Sequence, residues 1–450
     1  MKDKSFKGKW WLPSNIDNKV CGELFFNIGE GLQLHLDGII DDKNDIDIIN
    51  GLTENGKRVT LYKLSIIKEQ NHFPGYATTI FRIQYVFLGI EYKRTEDITF
   101  KEFAITFSFL NEWVNNNKVF NIKYSNARKN IQLLYKKPKS KLLYKGDEFS
   151  IKLSSEYTSS LSENVFIIKQ QMFFLIEFLD KEQSLTKVRD IIHILQNFLT
   201  FSVSHPIELR TLKGKSDKNQ GESWSQIYYY NNTTKPFKKL NIRPSDMLFT
   251  YTDIKSRSET IFKKWFAQSE KLEPFFELYF GTLNNNNMYI QSIFLNRVQA
   301  IEIYHRLITS LSSQEIIKHD SKIEKMLSLI PEEYEEYKEW VNAKLKFHYE
   351  PTLRQRLKTI YDDFALLLNN HINKKKLVNN VVTTRNYYIH GSKELKEKAI
   401  TNIVDLYKIS EILKVIIQLL INRLIEIKKE DSFFIDKTNE IYKLKTKLPK

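Results

Sequence analysis

The hydrophobic period of this chain changes along its length, and that change limits the folds available to it more than any other feature. From Trp10 to about Leu143 the apolar residues come in short, largely alternating runs. A period of two puts successive side chains on opposite faces of a strand. Glu23-Leu24-Phe25-Phe26-Asn27-Ile28 and Gly31-Leu32-Gln33-Leu34-His35-Leu36 flank a glycine-containing gap and predict a hairpin. Strands at Arg58–Tyr62, Ala77–Phe81 and Ile83–Phe87 would extend it into a sandwich or barrel-like sheet. After the polar run Asn284–Asn287 the apolar spacing becomes three and four, and the chain reads as almost wholly helical. Helices are expected near residues 289–311, 320–346, 352–370, 376–390 and 397–428, with Pro331 and Pro351 at starts or kinks. That is a bundle of four or five members. The fold class expected is therefore α+β multidomain. Residues 1–146 form a β-rich N-terminal domain, 147–283 a mixed α/β middle, 284–430 an all-α bundle and 431–450 a basic C-terminal tail.

The middle carries few sharp signals. Phe166–Ile176 fits a strand or a buried helix, and periodicity does not choose between them. Ser184 opens a clear helix whose stripe is Leu185, Val188, Ile191, Ile192, Leu195, Phe198 and Leu199; His193 lies off that stripe. Leu212–Ser223 reads as a charged loop. Its Gly214-Lys215-Ser216 is like the end of a phosphate-binding loop, but Leu209 stands where the upstream glycine is required, so no NTPase is expected. Asp41–Asp47 is acidic but lacks the glycine and terminal glutamate of an EF-hand, and reads as a polar loop. Trp265, Phe275, Phe276, Tyr279 and Phe280 are expected in a core.

Cys21 is the single cysteine, which excludes a disulfide framework and a cysteine zinc cluster; it is expected to be buried. No metal or other cofactor is expected. Met1–Lys9 is basic without an apolar segment, and Ile412–Ile425 is interrupted by Lys414, Gln418, Asn422 and Arg423 and too short to span a bilayer. A cytoplasmic protein without membrane attachment is the expectation. The formal net charge of +15 favours a polyanionic partner. Lysine accumulation in an A+T-rich genome is the competing explanation. Clustering supports the partner: Lys123–Lys145 is basic and interleaved with Tyr124, Tyr135 and Tyr144, and Lys374, Lys375 and Lys376 form a second cluster.

That second cluster precedes the most chemical stretch of the chain, Thr384-Arg385-Asn386-Tyr387-Tyr388-Ile389-His390-Gly391. Val378, Val381, Val382 and Ile389 define one apolar helix face, and Arg385 falls on it. A fixed cation on an apolar face needs a partner or a chemical role. Asn386 and His390, four apart, share another face, and Gly391 suits a C-cap. Histidine moves protons near neutral pH, and arginine holds a phosphate of rising charge. The spacing alone arises about once by chance in such a chain, so context has to carry it. The structural alternative is a buried Arg385 paired with a carboxylate on a neighbouring helix.

This motif resembles the R-x(4–6)-H signature of HEPN ribonucleases. Phe294–Arg306 resembles the first helix of the HEPN domain in the ApeA family of bacterial anti-phage proteins, and Gly8-Lys9-Trp10-Trp11-Leu12-Pro13 with Gly22-Glu23-Leu24 resembles the start of that family's N-terminal domain. The resemblance implies a metal-independent endoribonuclease acting in abortive infection. Arg385, Asn386 and His390 would be catalytic, and Lys374, Lys375, Lys376 and Tyr388 would bind RNA, with transfer RNA the substrate the family suggests. Glu302 and His305 are candidates for support, with Glu302 expected to pair with Arg385. Five residues span about 140° of a regular helix, so Arg385 and His390 diverge unless the helix breaks or two chains share a site. The resemblance implies a homodimer through this domain and a phage-derived trigger for the N-terminal region. A non-catalytic RNA- or protein-binding module on the same bundle is the alternative.

Overall fold

The computed structural model describes residues 4–27, 31–40, 46–70, 74–116, 119–125, 130–217, 224–229, 241–285, 287–309, 313–345, 350–369 and 372–427. The chain divides into two compact units, Met1–Lys263 and Lys264–Lys450. The expected loops at residues 41–45 and 218–223 and the expected tail at 431–450 lie outside the described residues.

The first unit is built on strands β1 (Lys4–Leu12), β2 (Asn15–Asn27), β3 (Gly31–Leu36), β4 (Ile48–Thr53), β5 (Arg58–Gln70) and β6 (Thr78–Leu88). All their pairings are antiparallel, in the order β1-β2-β3-β6-β5-β4, and β4 returns to β1. The sheet therefore closes into a six-stranded barrel, which removes the exposed edges of these strands. Alternation selects what fills it. Leu24 and Phe26 of β2, Leu32, Leu34 and Leu36 of β3, and Phe81 and Ile83 of β6 enter one core around Trp10. Trp10 is fully buried and its indole N–H donates to the Gly22 carbonyl at 3.2 Å. A side chain at Gly51 would overlap the Trp10 ring, so only glycine lets β4 pass there.

Barrel and middle region share one sheet. Leu32–Leu36 pairs with the first half of β6, and Ser225–Tyr229 takes over the same edge at Tyr85–Leu88. From there the sheet continues through Leu209–Lys215, Glu102–Phe107, Val165–Phe178, Phe149–Ser162 and Lys141–Lys145. Helix Leu185–Val203, capped by the Ser184 hydroxyl, buries its stripe against Trp113, Phe249 and Phe262. There the Phe198 ring lies 5.8 Å from Trp113 and 4.4 Å from Phe262.

Several sequence expectations change here. Ala77–Phe81 and Ile83–Phe87 are parts of the single strand β6, and Phe166–Ile176 is strand. Leu209–Lys215, read in part as loop, is a strand pairing on both edges, with Gly214 packed under Phe100. Cys21 is exposed: Leu24 and Phe26 point inward, so residue 21, of opposite parity, points out.

In the second unit, helices Ser258–Lys271 (from residue 264) and Glu273–Asn284 place Trp265, Phe275, Phe276, Tyr279 and Phe280 in the core as expected. The opening helix Ile290–Ile308 packs most extensively on Glu273–Asn284 and Ile403–Leu424. The latter is buried on every side from Ile412 to Asn422, the signature of a central helix. Leu353–Asp363 and the motif helix Lys374–His390 pack together and against the opening helix. Ser313–Ser328 and Glu335–Leu345 pack on each other. Among the described residues no helix is long and apolar enough to cross a membrane.

Candidate active site

Local chemistry fixes both ends of the motif helix. The Asn373 side chain accepts the Lys376 N–H at 2.9 Å, and Gly391 closes the other end at φ 66°, its N–H donating to the Tyr387 carbonyl at 2.8 Å. This is the glycine cap that the sequence predicts, because a left-handed residue there is strained for any side chain with a Cβ. The helix runs unbroken through His390. Of the two ways to bring Arg385 and His390 together, a break before His390 is therefore absent, and the side chains diverge by about 140°.

The buried face is Leu377, Val378, Val381 and Thr384; Val382 is half-buried and Ile389 is exposed. The expected apolar stripe is thus rotated, and a polar residue completes it. Thr384 is fully buried, and its hydroxyl oxygen accepts the Ile400 N–H at 3.0 Å. That bond ties the segment following Gly391 back onto the helix. Lys393, Lys396 and Lys398 of this segment are exposed. Sequence reasoning missed both Thr384 and these lysines, since a threonine among valines and lysines in a lysine-rich chain carry no local signal.

Arg385 is half-buried, and its Nη1 donates to the Asn386 side-chain oxygen at 3.2 Å. Among the described residues no carboxylate pairs with it. Asn386 is therefore engaged with Arg385 rather than with His390, which stands exposed in the last turn. Tyr388 is half-buried; burial chiefly, and Tyr387 beside it, push its phenol pKa up against a hydrogen bond with Gln291 of the opening helix. Lys374 extends to Asp362, both carboxylate oxygens at 2.6 Å, so its charge is matched locally. Lys375 is exposed. The lysine triplet and His390 occupy opposite ends of the helix, about 20 Å apart.

The support candidates go elsewhere. Glu302 pairs with Arg306 at 3.8 Å, not with Arg385. His305 is buried and its Nδ1 lies 3.2 Å from the Arg356 guanidinium. An arginine offers no lone pair, so Nδ1 accepts and the imidazole is neutral. Burial first, and the charge of Arg356 second, hold its pKa below 6.5. Arg297 on the same helix is buried and reaches Glu411 at 2.8 Å and the Ser410 carbonyl at 2.8 Å. Burial alone would raise the Glu411 pKa, but Lys414 and Arg297 bring it below the usual value.

A family model described as ApeA N-terminal domain 1 matches residues 5–265, more than half of the chain. The chain belongs to the ApeA family. A second family model, Apea-like HEPN, matches residues 295–431, which contain Arg385, Asn386 and His390. HEPN domains are usually ribonucleases and commonly dimerise. No curated protein and no solved structure matches this chain.

Proposed function

We propose that the helical unit of this ApeA protein is a metal-independent endoribonuclease of an anti-phage, abortive-infection system, acting in the cytoplasm on RNA such as transfer RNA. The observation that carries this reading is the state of Arg385. A half-buried guanidinium held by a neutral amide keeps its charge for an incoming anion. It would neutralise the charge that builds on the phosphoryl oxygens as the RNA 2′-OH attacks phosphorus. His390 would take the proton from the 2′-OH or deliver one to the departing 5′-oxygen. Asn386 holds the guanidinium plane. The products are a 2′,3′-cyclic phosphate and a 5′-OH, and DNA, lacking the nucleophile, survives.

Because the helix is continuous, one copy does not aim both groups at one phosphate. The site is completed when two copies set their motif helices face to face about a two-fold axis. The exposed Lys393, Lys396 and Lys398 beside the motif are largely offset by the equally exposed Glu394 and Glu397. The direct test is RNA cleavage by the purified protein in EDTA. Retained cleavage that is lost in Arg385→Ala and in His390→Ala supports the reading. Cleavage that survives both substitutions removes this site from consideration. Mixing the two inactive variants tests the shared site: restored activity requires that each copy lends one group.

A further inference from the structure

The first unit carries an apolar cleft that the nuclease reading does not use. Strands Phe120–Ser125 and Asn130–Tyr135 form a separate two-stranded ribbon. Directly paired residues share a face, so Phe120, Ile122, Tyr124, Ile131, Leu133 and Tyr135 all lie on one side. Except for Tyr135, every one of them is exposed, Ile131 at 67%. The hairpin Phe149–Ser162 with Val165–Phe178 runs past the main sheet, and its far half is exposed. By the same pairing rule Tyr157, Leu161, Phe166 and Ile168 share one of its faces, and Leu161 is 79% exposed.

These two faces converge at their base. The Tyr135 and Tyr157 rings lie 5.2 Å apart, and the Tyr135 hydroxyl donates to Gln170 at 3.1 Å. A cavity of about 280 Å³ opens there, its lining mixed: Val114, Val119, Phe120, Ile168 and Met172 with Asn111, Asn116 and Gln170. A two-stranded ribbon is marginal in water by itself, and a contiguous exposed apolar surface of this kind marks an interaction site.

Charge identifies the occupant. No acidic residue occurs between Glu112 and Asp147, while Lys136, Lys137, Lys139 and Lys141 do, all exposed; Lys123 is exposed too but lies on the ribbon's other face. Among the described residues none of these lysines pairs with a carboxylate. Of the long hairpin's acidic residues outside its buried half, Glu156 lies on its opposite face, tied to Lys213, and Glu163 stands at the exposed tip, away from the base where Lys136 and Lys137 follow Tyr135. A second copy would bring the same basic rim against itself. Single-stranded RNA would find rings to stack on in Phe120, Tyr124, Tyr157 and Phe166, but the exposed aliphatic Ile122, Ile131, Leu133 and Leu161 lie among them and are best covered by apolar side chains. We propose that this cleft binds an acidic, amphipathic segment of a partner protein, its apolar side chains between the two hairpins and its carboxylates on the lysine rim. The inference does not depend on the nuclease reading.

The probe is a fluorescent peptide of about 12 residues in which glutamate alternates with leucine and phenylalanine, titrated into the full chain. Two control peptides replace glutamate by lysine, or leucine and phenylalanine by serine. The acidic amphipathic peptide should bind at least about tenfold more tightly than either control. Ile131→Ser/Leu161→Ser/Phe166→Ser, all at exposed positions, should abolish that difference, and so should Lys136→Glu/Lys137→Glu, which decides the matter if the triple variant fails to fold. Equal binding of the three peptides, or unchanged binding by either variant, overturns the proposal. So does displacement of the peptide by single-stranded RNA or by phosphatidylglycerol vesicles, which would assign the cleft to nucleic acid or to a lipid surface.

Discussion

Arg297, on the opening helix of the bundle, is 4% exposed and donates to Glu411 at 2.8 Å and to Ser410 at 2.8 and 3.1 Å. Arg385, on the motif helix, is half-buried and donates to the neutral Asn386 amide at 3.2 Å. Both are guanidinium groups on helices that pack against each other. The first has a compensating carboxylate and acts as a rivet between helices. The second has, among the described residues, a hydrogen bond but no opposite charge. An arginine can thus be structural or chemically available within one bundle, and the difference lies in whether a carboxylate shares its burial.

Substitutions should separate the two roles. The largest expected effect is on folding: Arg297→Ala takes the bridge from Glu411 and Ser410 to the opening helix, leaves Glu411 with Lys414, and should cost about 1–3 kcal/mol in denaturant unfolding. A single-variant cost below about 1 kcal/mol would mean the ion pair is no rivet. Next, Arg385→Ala should lower RNA cleavage by about 10²–10³-fold while leaving unfolding within about 0.5 kcal/mol of the parent. Arg385→Lys should not restore activity, because an ammonium cannot reproduce the planar fork. A smaller effect is expected of Asn386→Ala: one hydrogen bond orienting Arg385 is worth about 1 kcal/mol, so cleavage should fall by roughly tenfold or less.

The smallest effect concerns pH. His305 is held neutral by burial and by Arg356, so its folded pKa lies below the ordinary 6.5. On acidification the unfolded chain takes up this proton before the folded chain does. Stability should therefore be full above pH 6.5 and decline as pH falls through 6.5 toward the folded pKa. Melting temperatures measured between about pH 7.5 and 5.5 should show that slope, and His305→Gln, which keeps an acceptor for Arg356, should flatten it.

What could be read from the residues was local. The Ser184 and Gly391 caps depend on a turn of helix each, and both stand where the sequence put them. Ile389 is exposed although apolar spacing places it on the buried face, because Thr384, a polar residue, takes part in the buried contact instead. Phe166–Ile176 stayed ambiguous because its state is decided by pairing, Phe174 opposite Ile105, across a long stretch of chain. The Leu209–Lys215 strand was hidden by its lysines and glycine, which suit a loop until Phe100 is found filling the space beside Gly214.

By itself the sequence determined the two periods, the helix ends, the charge and the Arg-Asn-Tyr-Tyr-Ile-His string, because strand alternation, helix capping and side-chain chemistry are properties of near neighbours. Only the tertiary structure decided that the barrel closes through β5 and β6, that His305 faces Arg356, and that Arg297 meets a carboxylate while Arg385 meets an amide. For His305, Arg297 and Arg385 the outcome depends on whether a distant charged side chain shares the same desolvated space, and burial makes that neighbour, rather than the residue type, set the role of a charge.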